Sequence, residues 1–156
     1  MPREKPVTEI MSAPAITLSP DATVEDAVGV LVENDIDGAP VVDEHGVLIG
    51  LVDDDDLIVS EARLHAPTTI EILGAYIPLP GELRRFNEEV RQALGRTVRE
   101  IMDGHPPSIR ETATVEDAAT VLHDHGLSRL PVVDDDRVVV GVVTRGDLVK
   151  ALRRED

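Results

Sequence analysis

Apolar positions along this chain recur with two alternating periods. Val24, Ala27, Val28, Leu31 and Val32 fall at i, i+3, i+4, i+7 and i+8, the stripe of an amphipathic helix. Thr23 stands just ahead as the expected N-cap. Glu25 and Asp26 fill the first turn, where the helix dipole favours carboxylates. Two short β-rich runs follow, at residues 39–42 and 47–52, joined by Asp43-Glu44-His45-Gly46. This spacing predicts a hairpin. A polar turn then leads into a second expected helix at residues 54–64. Residues 16–18 form a short extended segment ahead of the first helix.

The same pattern returns further along. A shift of 91 residues lays VTEIM at residues 7–11 on VREIM at residues 98–102, and ATVEDA at 22–27 on ATVEDA at 113–118. It lays PVVD at 40–43 on PVVD at 131–134, Gly50 on Gly141, and Asp56-Leu57 on Asp147-Leu148. No gap interrupts the register, so this is a repeated supersecondary unit. In the second copy Thr114 is the expected cap, followed by Val115, Ala118, Ala119 and Leu122, with Gly126 placed to stop the helix. Residues 130–133 and 138–143 predict its hairpin, Arg145–Arg153 its second helix, and residues 108–110 its leading extended segment.

The organisation expected is α/β (α+β). A first βαββα repeat covers residues 1–64, an insert 65–96, and a second repeat 97–156. One copy of about fifty residues buries little surface alone, so the pair is expected to pack through its hairpins and share a core. The insert is expected to be partly helical, with Leu83, Phe86, Val90 and Leu94 at helical spacing within 82–94. Its aliphatic run at 70–79 is broken by Gly74 and Pro78. From Ile58 to Arg96 acids and bases balance, and both aromatics, Tyr76 and Phe86, lie there. Such an insert reads as a packing or oligomer element.

Charge narrows the function. The formal net charge is −16. This argues against nucleic acid and against an anionic membrane surface, since both are bound through Lys and Arg. There is no cysteine, hence no disulfide, thiolate nucleophile or Cys-ligated metal. The opening MPREKPVTEIM lacks the apolar core of a signal peptide, and no stretch is long and apolar enough to span a bilayer. A cytoplasmic location is expected. The serines Ser12, Ser19, Ser60, Ser108 and Ser128 have no elbow motif or partner base. His123 and His125 point apart on a helix, and His45, His65 and His105 show no ligand spacing. No enzyme chemistry is expected.

The opening VTEIM and TVREIM, the two PVVD hairpin starts and the ending GVVTRGDL resemble a tandem pair of cystathionine-β-synthase-type (CBS) repeats, a Bateman module. The resemblance implies pseudo-twofold symmetry and usually a homodimer. It also implies regulation through an adenine-containing ligand such as AMP, ADP, ATP (with or without Mg²⁺) or S-adenosylmethionine. In that family each cleft between repeats uses a turn of pattern G-x-x-[Ser/Thr]-x-x-Asp. Residues 141–147, GVVTRGD, match fully, so Thr144 is carried over as the phosphate contact and Asp147 as the ribose contact, with Arg145 between them. The chemistry suits this, because a helix N-terminus favours phosphate and a carboxylate accepts from sugar hydroxyls. By family geometry Ala15, Ile16, Thr17, Ile36 and Asp37 complete this stronger site. The first copy reads GLVDDDD: Asp56 matches the ribose carboxylate, but Asp53 replaces the hydroxyl. Pro107, Ser108, Leu127, Ser128 and Arg129 complete this weaker site, with Arg129 suited to phosphate.

Bland readings stand beside these. Thr144 could simply cap a helix, and the run Asp53, Asp54, Asp55, Asp56 could be a solvated helix start. That run could also hold Mg²⁺ or Ca²⁺, though it lacks the spacing of a calcium loop. Three functions therefore stay open: a nucleotide sensor signalling to an unknown protein target, a ligand-free structural dimer, and a divalent-cation sensor.

Overall fold

The computed structural model describes residues 4–54, 56, 69–72, 75–78 and 96–153. The expected helix at 82–94 lies outside these residues, as does the expected helix at 54–64 apart from Asp54 and Asp56, which are helical.

Each repeat folds as its local pattern dictates. Helix α1, Val24–Glu33, turns Val24, Ala27 and Leu31 inward. Its start is closed reciprocally: the Asp26 N–H donates to Thr23 Oγ1 at 3.1 Å, and the Thr23 N–H donates to Asp26 Oδ2 at 3.2 Å. This capping box satisfies two donors that a helix end otherwise leaves open. A residue in the left-handed region, Asp35 at φ 53°, follows the helix. Strand β1, Ala39–Val42, then pairs antiparallel with β2, Leu48–Val52. The aliphatic run of the insert supplies an antiparallel hairpin of β3, Thr69–Ile72, and β4, Ala75–Pro78.

The second repeat opens with a short helix α2, Val98–Ile101, and a two-residue strand β5, Ile109–Arg110. Helix α3, Val115–Asp124, buries Val115, Ala118 and Leu122 behind the same box, made by Thr114 and Asp117 at 3.2 and 3.0 Å. Gly126 at φ 62° stands where Asp35 stands in the first copy. Strands β6, Arg129–Val133, and β7, Val139–Thr144, are antiparallel, with β5 parallel to β6 on the other side. Helix α4, Arg145–Arg153, follows β7 directly. No helix among the described residues is long and apolar enough to cross a membrane.

The interior forms two clusters rather than the single shared core expected from the size of one copy. One gathers Ala118, Leu122, Leu130, Val132 and Val143 of the second repeat around Val7 of the first. The other gathers Ala27, Leu31, Ala39, Val41 and Val52 of the first repeat around Val98 of the second. The opening segments are exchanged. The Val7 N–H donates to Ala113 O, and the Val98 N–H donates to Ala22 O, each at 2.8 Å. Ser12 pairs with Val142 as an antiparallel bridge, and Leu51 with Asp103. Glycine makes this approach feasible. A Cβ on Gly141 would strike the Met11 sulfur, and one on Gly50 the Met102 sulfur. The hairpin tips also meet, through Leu48 N–H to Arg137 O and Val139 N–H to Gly46 O, both 3.0 Å. Every one of these contacts has its mate one register of 91 residues away, so the pair has pseudo-twofold symmetry.

Candidate functional site

The cleft that matters lies where the exchanged opening segment of the first repeat crosses the hairpin of the second. Its volume is about 90 Å³. Pro14, Ala15 and Ile16 line it from the segment before α1, and Ile36 and Gly38 from the loop after α1. The second repeat contributes Arg129, Val142 and Thr144, and Ser12 completes it. The structure thus brings four of the expected residues together: Ala15, Ile16, Ile36 and Thr144. Ser12, Pro14, Gly38 and Val142 join them. These carry little signal in a sequence, because they contribute backbone, small size or aliphatic surface.

Thr144 and Asp147 sit at the junction of β7 and α4. The Asp147 N–H donates to Thr144 Oγ1 at 3.1 Å, and the Thr144 N–H donates to Asp147 Oδ2 at 2.9 Å. The capped helix start and the ligand turn are therefore one device. The Thr144 hydroxyl accepts from the backbone, which leaves its own proton to donate. Asp147 accepts the Thr144 N–H with one carboxylate oxygen, Oδ2. Arg145 is exposed, and its Nε donates to Leu127 O, 2.6 Å away, outside the cleft lining.

Thr17 lies elsewhere. It lines a separate shallow groove with Ser19, Asp21, Asp43 and Arg99. The physical reason is local. Leu18 joins the sheet edge, with its N–H on Pro40 O and its carbonyl accepting from Val42 N–H, so the chain has already left the cleft. Asp37 is exposed and meets the cleft only through Arg129, whose Nη2 lies 3.8 Å from Asp37 Oδ2.

Arg129 occupies unexpected ground. Sequence reasoning sets it in the weaker site, yet it lines the Thr144 cleft. It is 6% exposed, the one buried charged residue of the described core. Its Nη1 donates to the Gly38 carbonyl at 2.9 Å, while its Nε has no acceptor among the described residues. A buried donor left unmet costs about 1–3 kcal/mol. The group is therefore poised for an anionic acceptor.

Of the weaker site, the Asp53 N–H donates to Asp56 Oδ2 at 3.0 Å, as the Thr144 N–H donates to Asp147 Oδ2. Pro107 and Ser108 are half-buried ahead of β5, and Leu127 and Ser128 lie in the turn before β6. Asp55 lies outside the described residues, among which no three His, Asp or Glu side chains gather to share a metal ion. Larger grooves are present among the described residues. One, of about 420 Å³, runs between α3 and α4 past Ala119, His123, Leu148 and Leu152. The Thr17 groove is about 580 Å³. Neither joins a capped helix start to a buried cation.

Comparison with known proteins agrees with this fold. The family model for the CBS domain matches residues 7–62 and again 98–154. An uncharacterized protein of Methanocaldococcus jannaschii, MJ1426, is 30% identical over 152 residues, covering 94% of this chain and 90% of that protein. The chloroplastic CBS domain-containing protein CBSX1 of Arabidopsis thaliana is 35% identical over 137 residues, covering 86% of this chain but 57% of its own length. Among solved structures, CBSX2 in complex with AMP superposes with a TM-score of 0.73 at 29% identity, covering 97% of this chain and 98% of that one. The CBS domain pair of MJ0100, in complex with 5-methylthioadenosine and S-adenosyl-L-methionine, gives 0.74 at 26% identity over 98% and 99%. The exchanged openings, the repeated hairpins and the GVVTRGD turn thus have one account: the chain belongs to the CBS-domain family and carries two CBS domains in tandem.

Proposed function

We propose that this chain is a regulatory module that binds an adenine-containing ligand in the cleft between its repeats and passes the change to a partner protein. The observation that carries this reading is a single cleft, walled by Ala15, Ile16 and Ile36, that joins buried Arg129 to Thr144, whose backbone N–H is held by Asp147. Helix start and guanidinium suit a phosphate, the carboxylate suits a ribose, and the aliphatic wall suits a flat base. The AMP complex of CBSX2 and the methylthioadenosine and S-adenosylmethionine complex of the MJ0100 pair support it.

Size gives the signal a mechanism. Ligand pockets usually measure about 300–1,000 Å³, against about 90 Å³ here. In this proposal a nucleotide enters as the walls part at the segment around Ile16, which is 37% exposed. Ligand binding therefore selects a wider arrangement of the repeats, which is the quantity a partner can read. The chain also assembles as a homodimer in this proposal. Val149 and Leu152 on α4 are 65% and 61% exposed beside the α3–α4 groove, and pairing would cover them. Light scattering at micromolar concentration should give twice the chain mass, and a monomer mass would remove the dimer.

The test of binding is thermal denaturation with AMP, ADP, ATP and S-adenosylmethionine, with and without Mg²⁺. A ligand at about 100 times its dissociation constant adds about 2.7 kcal/mol, several degrees of Tm for a chain this size. No shift with any of the four at millimolar concentration would leave the ligand-free dimer as the better account.

A further inference from the structure

The register that relates the repeats places Arg129 on Gly38, and the fold places them against each other. The Arg129 Nη1 donates to Gly38 O across 91 residues of sequence. Arg129 opens β6 and stands opposite Thr144 in the ladder. Gly38 stands just ahead of β1, and a Cβ on it would lie 2.8 Å from Cα of Asp53 and 3.0 Å from Arg129 Nε. The backbone of Arg129 thus stands beside the Thr144 turn, while its side chain reaches toward the Asp53 turn. Its room is the space that Gly38 leaves empty, so a second arginine at position 38 could not share it. One guanidinium therefore lies between the Thr144 turn and the Asp53 turn.

We propose that Arg129 makes the two clefts compete for anionic ligands. The proposal rests on the reading of both clefts as adenine-nucleotide sites. Without ligand, Nη1 is held by Gly38 O, Nη2 faces Asp37 at 3.8 Å, and Nε has no acceptor among the described residues. Asp37 is a weak holder, because its side chain is 78% exposed and water screens the pair. A phosphate in the Thr144 cleft offers several acceptor oxygens to the guanidinium fork and displaces Asp37. The fork is then committed, and a second phosphate at the Asp53 turn finds no guanidinium left to meet it. A neutral ligand draws on no cation, so it fills either cleft independently.

Calorimetry of the full chain with AMP and with adenosine tests this. In the wild type the weaker AMP event should lie at least about tenfold above the tighter one, the weight of one hydrogen bond to a charged group. Asp147→Ala removes the Thr144 cleft. The surviving AMP event should then be about tenfold tighter than the weaker wild-type event, because the guanidinium is released. The gain should vanish when Arg129→Met is added and persist in reduced form with Arg129→Lys, which keeps the charge. Adenosine should show no such gain. An unchanged weaker event in Asp147→Ala, a loss of all AMP binding there, or a gain that survives Arg129→Met overturns the coupling alone. Absence of any AMP binding by the wild type overturns the nucleotide reading beneath it as well.

Discussion

A carboxylate three residues into a helix holds the backbone most strongly while it is ionised. The N–H of Thr114 donates to Asp117 Oδ2 at 3.0 Å, and this backbone bond, with the Thr114 side chain, holds the Asp117 carboxyl below its usual range. A folded-state value that is depressed contributes stability above the ordinary Asp value and loses it as pH falls through the folded value. The loss should therefore begin near about pH 4 and deepen below it. Asp117→Asn should flatten the dependence of Tm on pH below about 4, and an unchanged slope would show that the cap does not titrate with folding. Asp147 and Asp56 make the corresponding bonds to Thr144 and Asp53, but with unlike neighbours. A phosphate near Asp53 meets a fixed charge of its own sign. At about 4 Å and an effective dielectric near 20 this repulsion is roughly 4 kcal/mol, and even a third of it is about tenfold in affinity. Asp147→Ala should leave a single AMP event, while Asp56→Ala should leave the tighter wild-type event nearly unchanged in metal-free calorimetry. The opposite result would make the acidic turn the principal site.

Glycine and its substitutes decide how the elements fit. Gly141 lies under the opening segment of the other repeat, and a Cβ there would be 2.9 Å from both Met11 Cγ and Ser12 O. Met11 can swing aside, but Ser12 O belongs to a paired backbone. Gly141→Ala should cost about 1–3 kcal/mol as overpacking, seen as a fall in Tm, and should weaken AMP because Ser12 and Val142 line the cleft. The hairpin tips carry the reverse case. Gly46 and Arg137 occupy matching positions at φ 80° and 65°. An arginine there is strained by about 1–2 kcal/mol, so Arg137→Gly should raise the urea midpoint even though glycine loosens the unfolded chain. A lower midpoint would mean that the exposed Arg137 side chain is held by contacts worth more than the strain. These features also mark what a sequence discloses. Caps, hairpins and the Gly126 stop are written within a few residues, so the pattern of Thr23 and Thr114 predicts them directly. The exchange of Val7 and Val98 is not written locally, because identical copies say nothing about which opening closes which core. Arg129 shows the same limit: its strand was legible, but its side-chain path depends on a missing Cβ 91 residues away.

The exchanged openings bind the whole molecule into one cooperative unit. Val7 is wholly buried among Leu122, Leu130, Val132 and Val143, and Val98 is wholly buried among Leu31, Val41 and Val52. If the second repeat opens, Val7 loses its site and the first repeat loses Val98, so neither core survives the loss of the other. A single unfolding transition follows, followed alike by fluorescence-independent probes such as circular dichroism and calorimetry. Val7→Ala makes this testable at residue level. Removing two buried carbons and leaving a small cavity costs about 2 kcal/mol. Residue 7 belongs to the first repeat in sequence but packs in the second, so native-state amide exchange separates the two possibilities. Protection should fall by a similar amount at Val132 and Val143 in the second repeat and at Val41 in the first. A fall confined to Val41 would contradict the exchange itself. A fall confined to Val132 and Val143 would keep the exchange but show that the two cores open independently, and a ligand in the cleft between them could then stabilise one repeat without informing the other.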